Sequence, residues 1–157
     1  MRLVIVAVGR DRSGPFRDAY DLYVRRLSGG GLLGPLDLAE VEPKRPATGA
    51  ALKRQEGELL LAAVPKGAKL VALDERGTIP TSEDFAARLG EWRDQGCGTT
   101  AFLIGGADGL DESVRQRADW VVALGRLTWP HLLVRLLLAE QLYRADTILA
   151  GHPYHRS

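Results

Sequence analysis

The chain has 157 residues, 45% of them hydrophobic, which suits one domain with a full core and leaves little room for a second. Its 21 basic and 20 acidic residues nearly cancel, so no global field marks it as a nucleic-acid binder. A single cysteine, Cys97, excludes an internal disulfide framework and a cysteine-based zinc cluster. The charge is unevenly spread all the same: residues 1–69 carry 12 basic against 8 acidic side chains, and residues 70–157 carry 9 against 12.

Met1-Arg2 leads directly into Leu3–Val8, an apolar run too short for the core of a signal peptide, and no stretch reaches the length of a membrane span. The expected location is therefore the cytoplasm. Leu3–Val8 ends at Gly9 and reads as a strand buried on both faces, the pattern of a parallel α/β sheet. Ser13-Gly14-Pro15 opens a helix whose apolar stripe is Phe16, Ala19, Tyr20, Tyr23, Val24 and Leu27. Arg10, Arg12, Arg17, Arg25 and Arg26 lie in or beside it, either as a solvated face or as contacts to an anionic partner.

Gly29-Gly30-Gly31 and Gly34-Pro35 predict a flexible connection to a second strand at Leu36–Val41. The basic stretch Pro43–Gly49 is read as a surface loop or as a loop that clasps phosphate. A helix over Ala50–Ala63 leads to a third strand, Lys69–Leu73, whose exit Asp74-Glu75-Arg76-Gly77 is acidic and ends in glycine. Thr81 with Asp84 predicts a capping box before a helix over Phe85–Arg93. Thr99–Ile104 is the fourth strand, Asp111 or Ser113 caps a short helix to Ala118, and Trp120–Leu124 is the fifth strand. Pro130–Ala145 is apolar nearly all round, so it needs cover on both sides, and a second copy of the chain is the expected second cover.

Five strands alternating with helices predict an α/β fold, a mostly parallel sheet with helices on both faces, spanning residues 1–157 as one domain. Three strand exits are candidates to converge: Leu73–Gly77, Gly105–Gly109 and Gly125–Trp129. The middle one follows the fourth strand as Gly-Gly-x-x-Gly, so it is neither the dinucleotide fingerprint nor a P-loop. Gly105 is the expected close-approach position, with Gly106 and Gly109 shaping the turn. Gly-x-Ser-x-Gly and His-Glu-x-x-His are absent. His152 and His155 lack a convincing third ligand, so no metal is expected; His131 is expected to hydrogen-bond its turn, with contact to a ligand as the alternative.

At Leu103-Ile104-Gly105-Gly106-x-x-Gly109, Leu127-Thr128-Trp129-Pro130-His131-x-x-x-Arg135, Glu140-Gln141-x-Tyr143-Arg144-Ala145 and the terminal Gly151-His152-Pro153-Tyr154-His155-Arg156, the sequence resembles a known family. It is similar to the bacterial large-subunit rRNA pseudouridine-N3 methyltransferases, minimal members of the α/β-knot (SPOUT) superfamily. The resemblance covers nearly the whole chain. It implies a C-terminal trefoil knot, a homodimer, S-adenosylmethionine as cofactor and a pseudouridine in a 23S rRNA hairpin on assembled ribosomes as substrate. Carried over by motif, it implies that Leu73, Gly105 and the loop Leu124, Gly125, Arg126, Leu127, Thr128 and Trp129 hold the cofactor. The chemistry of N3 methylation points to the tail: Tyr154 to order or stack the base, His155 to take the N3 proton or polarise a carbonyl, and Arg156 to hold phosphate or stabilise the anionic base. Trp129 stands where leucine or phenylalanine is commoner in the family, and the link Gly29–Gly34 departs from the family's usual sequence. A non-catalytic RNA-binding protein and a methyltransferase for another RNA position are the alternatives.

Overall fold

The structure, a computed structural model, describes residues 1–156. In chain order the elements are β1 Arg2–Val8, α1 Pro15–Leu27, β2 Leu36–Val41, α2 Gly49–Ala62, β3 Lys69–Thr78, α3 Ser82–Asp94, β4 Thr99–Ile104, α4 Glu112–Arg117, β5 Trp120–Val122 and α5 His131–Leu149. The strands form one sheet in the order β2-β1-β4-β3-β5, with every neighbouring pair parallel. All five strand exits therefore lie along one edge.

The alternation of a strand builds two cores. Leu3, Ile5 and Ala7 of β1 face the layer of α1, α3 and α5, while Val4, Val6 and Val8 face the layer of α2 and α4. Phe102 and Leu103 of β4 divide between the same two cores. Both faces are covered, which is why these strands carry no polar alternation.

Several boundaries differ from the sequence expectation, each for a local reason. α5 runs on past Ala145 to Leu149, because its stop signal is Gly151. That glycine takes φ +68°, its N–H donates to the Ile148 carbonyl, and the His152 N–H donates to the Thr147 carbonyl. Together these bonds satisfy the last carbonyls of the helix. α3 begins at Ser82 rather than Phe85, and the capping box is present: the Thr81 hydroxyl accepts from the Asp84 N–H at 3.1 Å. Asp111, not Ser113, caps α4.

The glycine-rich link is held rather than loose. Asp146 of α5 is buried and accepts from the Leu33 N–H at 2.7 Å. A Cβ on Gly31 would lie 2.0 Å from that carboxylate, so the link packs against α5 through a position only glycine fills.

β3 does not end at Leu73, and β5 is shorter than expected, closing at Val122. Leu73 and Thr78 both pair with Val122, so residues 74–77 are looped out at the exit edge before the strand resumes. Gly77 sits directly on the β5 backbone: a Cβ there would stand 2.6 Å from the Val121 carbonyl carbon and the Val122 nitrogen. Replacing Gly77 by alanine is expected to cost at least about 1–3 kcal/mol by forcing β5 away. Gly98, with nothing within 4 Å of its built Cβ, should tolerate Gly98→Ala within about 1 kcal/mol. Urea unfolding of the two variants decides this, and equal midpoints would refute the close crossing.

Candidate functional site

The three glycine-bearing strand exits meet. Leu73 and Asp74 from β3, Ile104, Gly105, Gly106 and Gly109 from the end of β4 and its loop, and residues 122–125 and 127–129 after β5 line one cavity of about 140 Å³. Of the residues singled out by sequence, Leu73, Gly105, Leu124, Gly125, Leu127, Thr128 and Trp129 stand on this wall. Arg126 does not; its side chain is exposed.

Each wall is built by a short-range cause. Gly105 is closed against the turn that follows: a Cβ there would lie 2.8 Å from the Gly109 carbonyl carbon and oxygen. The Gly109 N–H donates to the Gly106 carbonyl at 3.0 Å, and Gly109 takes φ +82°. Gly125 at φ +105° turns the chain after β5, and the Trp129 indole N–H donates to the Leu124 carbonyl at 3.1 Å, fixing the ring as a wall. Asp74 lines the cavity but is already engaged, accepting from the Arg76 N–H at 2.9 Å and from Arg115 at 3.1 Å.

His131 corrects the preferred expectation: among the described residues it forms no hydrogen bond to its turn, and the ring lines the cavity instead, where burial and the neighbouring Arg135 hold its pKa below the usual histidine value. Arg135 is 2% exposed, donates to Glu40 at 2.6 Å and to the Val8 and Gly9 carbonyls at 2.9 Å, and so fastens the first turns of α5 to the exit of β1.

The tail lies elsewhere. The Tyr154 hydroxyl donates to Glu140 at 3.2 Å, and its ring meets Tyr143 edge-on at 4.8 Å. His155 contacts Arg144 through Nδ1 at 3.2 Å and Glu83 through Nε2 at 2.7 Å. A guanidinium only donates, so Nδ1 accepts and Nε2 carries the proton given to Glu83. Arg156 is exposed, and none of the three lines the cavity within one chain. His152 serves a turn, accepting from the Tyr154 N–H at 3.2 Å. A second cavity of about 690 Å³, between α1, α5 and the segment leading into α3, shares Val122–Gly125 and Trp129 with the first. Among the described residues no group of three His, Cys, Asp or Glu is placed to hold a metal ion, and no helix is long and apolar enough to cross a membrane.

Sequence reasoning missed Glu56. It is buried on α2 directly beneath the glycine turn: a Cβ on Gly106 would lie 3.0 Å from its Oε2. Burial first, then the nearby Asp108 charge, pushes its pKa above the ordinary carboxyl value, although the Gly106 backbone amide pulls the other way. The available signal was Gly57 within a helical pattern, where α2 closes on α4 to 3.2 Å of a built Cβ. An acid whose folded pKa is raised favours folding when protonated, so its contribution is full below the unfolded value of 4.5 and is lost as pH rises through the folded value. Glu56→Gln keeps an acceptor for the Gly106 amide without the charge. The stability of wild type relative to Glu56→Gln should therefore fall with pH above that unfolded value and then level off. Thermal melts across pH check it, and a pH-independent difference would contradict it.

The chain's likeness to known proteins agrees with this geometry. Residues 1–155 match the family described as "Predicted SPOUT methyltransferase". Two curated relatives are each named ribosomal RNA large subunit methyltransferase H. The one from Paramagnetospirillum magneticum is 59% identical over 156 residues and covers 99% of both chains. The one from Rhodospirillum centenum is 60% identical over 157 residues and covers 100% of both. Among solved structures, a probable methylase family protein from Haemophilus influenzae superposes with TM-score 0.57 at 13% identity, covering 99% of this chain and 70% of that one. A probable methyltransferase from Bordetella pertussis gives TM-score 0.55 at 15% identity, covering 92% and 95%. These two share the fold, a parallel sheet between helices with the knotted α/β arrangement of the superfamily. The chain belongs to the SPOUT methyltransferase family.

Proposed function

We propose that the chain transfers a methyl group from S-adenosylmethionine to N3 of a pseudouridine in a hairpin of 23S rRNA, acting as a homodimer on assembled ribosomes in the cytoplasm. The observation that carries this reading is the cavity at the three strand exits. Its walls are backbone and apolar side chains, its charged lining is the carboxylates Asp74 and Glu75, and neither lysine nor arginine lines it. Such a slot suits a flat heterocycle joined to a cationic sulfonium and is hostile to a polyphosphate. Leu73, Gly105 and residues 124–129 are the residues that would hold it. The cofactor supplies a methyl group activated by its positive sulfur.

The protein's own task is to aim N3 of the base in line and to manage the N3 proton. The tail provides suitable groups. The Tyr154 phenol is pushed up to about 12 by burial, by its hydrogen bond with Tyr23 and by the Glu140 charge, so at neutral pH it keeps the proton it gives to Glu140 and offers its ring to stack on the base. Once the base displaces Arg144 from it, the Nδ1 lone pair of His155 is the proton acceptor, and Arg156 stabilises negative charge developing on the base.

The tail reaches the cavity from the partner. Arg144, which holds His155, lies ten residues beyond Val134 of the cavity wall, about 15 Å along α5. Two α5 helices packed antiparallel about a twofold axis would lay each tail over the other copy's cavity. They would also cover Leu132, Leu133, Leu136 and Leu137, which are only half-buried in one chain. A net charge of +1 supports a shaped ribosomal surface rather than free RNA as the target.

Labelled-methyl transfer to ribosomes from cells lacking the gene, followed by mapping of the base, tests the reaction. Label at N3 of one pseudouridine is expected, at a rate well above that on free rRNA; label on another atom or on none would overturn the reading. Mixed dimers test the shared site. Gly105→Ala, which drives a Cβ into the Gly109 backbone, and the double variant His155→Ala with Arg156→Ala should each be inactive alone. Mixed, they should regain activity through the one complete site of the heterodimer. No recovery would place the tail in its own chain's site.

A further inference from the structure

The N-terminal basic residues are not used by the cavity, and the structure gathers part of them beside it. β1 and β2 are neighbours, and their exits are locked together: the Gly9 N–H donates to the Val41 carbonyl at 2.8 Å, the Asp11 N–H to Glu40 at 2.7 Å, and Arg10 pairs with Glu42 at 3.1 Å. Arg135 consumes the remaining charge of Glu40. Arg12, Lys44 and Arg45 are all exposed on these exits, and among the described residues none makes an ion pair. The carboxylates nearest to them in the chain are thus mostly spent on Arg10 and Arg135, with Asp11 the exception.

The loop that carries Lys44 and Arg45 is built rather than loose. Gln55 of α2 clamps it from below, donating to the Arg45 carbonyl and accepting from the Ala47 N–H, both at 3.0 Å. Pro43 and Pro46 stiffen the same turn. Two helices also open here, α1 after Gly14 and α2 after Thr48, and neither has a side chain hydrogen-bonded to its first amides. Their positive ends add to the field of the arginines and lysine. The ledge adjoins the cavity through Gly9, whose built Cβ would lie 3.7 Å from the Nε2 of cavity-lining His131.

We infer that Arg12, Lys44 and Arg45, on the joined exits of β1 and β2, form a phosphate-binding ledge that carries the backbone of the RNA substrate past the methyl-transfer cavity. The inference rests on the proposed RNA substrate and names where its backbone is gripped. Rigid, unpaired cations beside a site are what backbone positioning needs, since phosphate contacts set register without reading sequence. A protein partner would call for apolar anchors among the charges, and the clamped loop offers two prolines and an alanine.

The test is the triple variant Arg12→Ala, Lys44→Ala, Arg45→Ala, assayed for methyl transfer to ribosomes over a salt series. All three side chains are exposed, so the fold and the calorimetric affinity for S-adenosylmethionine should match wild type. The KM for ribosomes should rise at least about tenfold with kcat unchanged. The slope of log affinity against log salt should shrink by about 2, since each lost phosphate contact removes about 0.7–0.9. If the wild type methylates and the variant keeps both its KM and its salt slope, the ledge is refuted while the reaction stands. If the wild type transfers no methyl group to ribosomes, the reaction itself falls and the ledge with it.

Discussion

One buried guanidinium joins the parts of this molecule that matter for its chemistry. Arg135 is the first fully buried residue of α5; its two terminal nitrogens donate to Glu40 and to the carbonyls that end β1, while its buried Nε has no partner among the described residues. A charge taken so far from water is tolerated only because carboxylate and carbonyls replace its hydration. Burial works to raise the pKa of Glu40, yet the Asp11 N–H and the Arg135 guanidinium hold it below the ordinary value. Losing one member of such a pair typically costs about 3–5 kcal/mol. Through this contact the last helix, which begins at the cavity, is registered on the first strand, which ends at it.

The cavity obeys a second constraint, the need for backbone to approach backbone. Gly77 lies on β5 and Gly105 lies on the turn that follows it, with 2.6 and 2.8 Å available to a Cβ before it meets backbone. A chain that crosses itself this closely cannot line a site with bulky polar side chains. It presents amides, carbonyls and apolar walls instead, which suits a methyl donor that carries its own activation. The groups that manage the acceptor must then come from outside the crossing. On the proposed reading they are the tail, held on α5 by Glu140 and Arg144, and the cations on the exits of β1 and β2.

Much of this was legible in the residues. Leu3–Val8 and Ala101–Ile104 are continuous apolar runs, and both lie in inner strands buried on two faces. The three glycine-marked exits meet because all strands run parallel, so one sheet edge collects every exit. Local chemistry was readable where it is local, as at the Thr81 capping box. What could not be read depends on distant partners. The pairing of Thr78 and Leu73 with the same residue of β5 leaves no trace in periodicity. Gly31 looks like slack until Asp146, far along the chain, is seen against it. Glu56 sits in an ordinary helical pattern, and its burial follows only from the glycine turn above it. The knot belongs to the same class, since its family motifs point to it and hydrophobic pattern does not.

The central claim is that three strand exits form one cradle for the methyl donor. Hydrogen exchange of backbone amides, measured with and without S-adenosylmethionine, tests it most directly. The account predicts new protection at residues 73–78, 104–110 and 123–131, with none at residues 43–48. Protection confined to α1 and the outer face of α5, with the glycine turn unchanged, would contradict it.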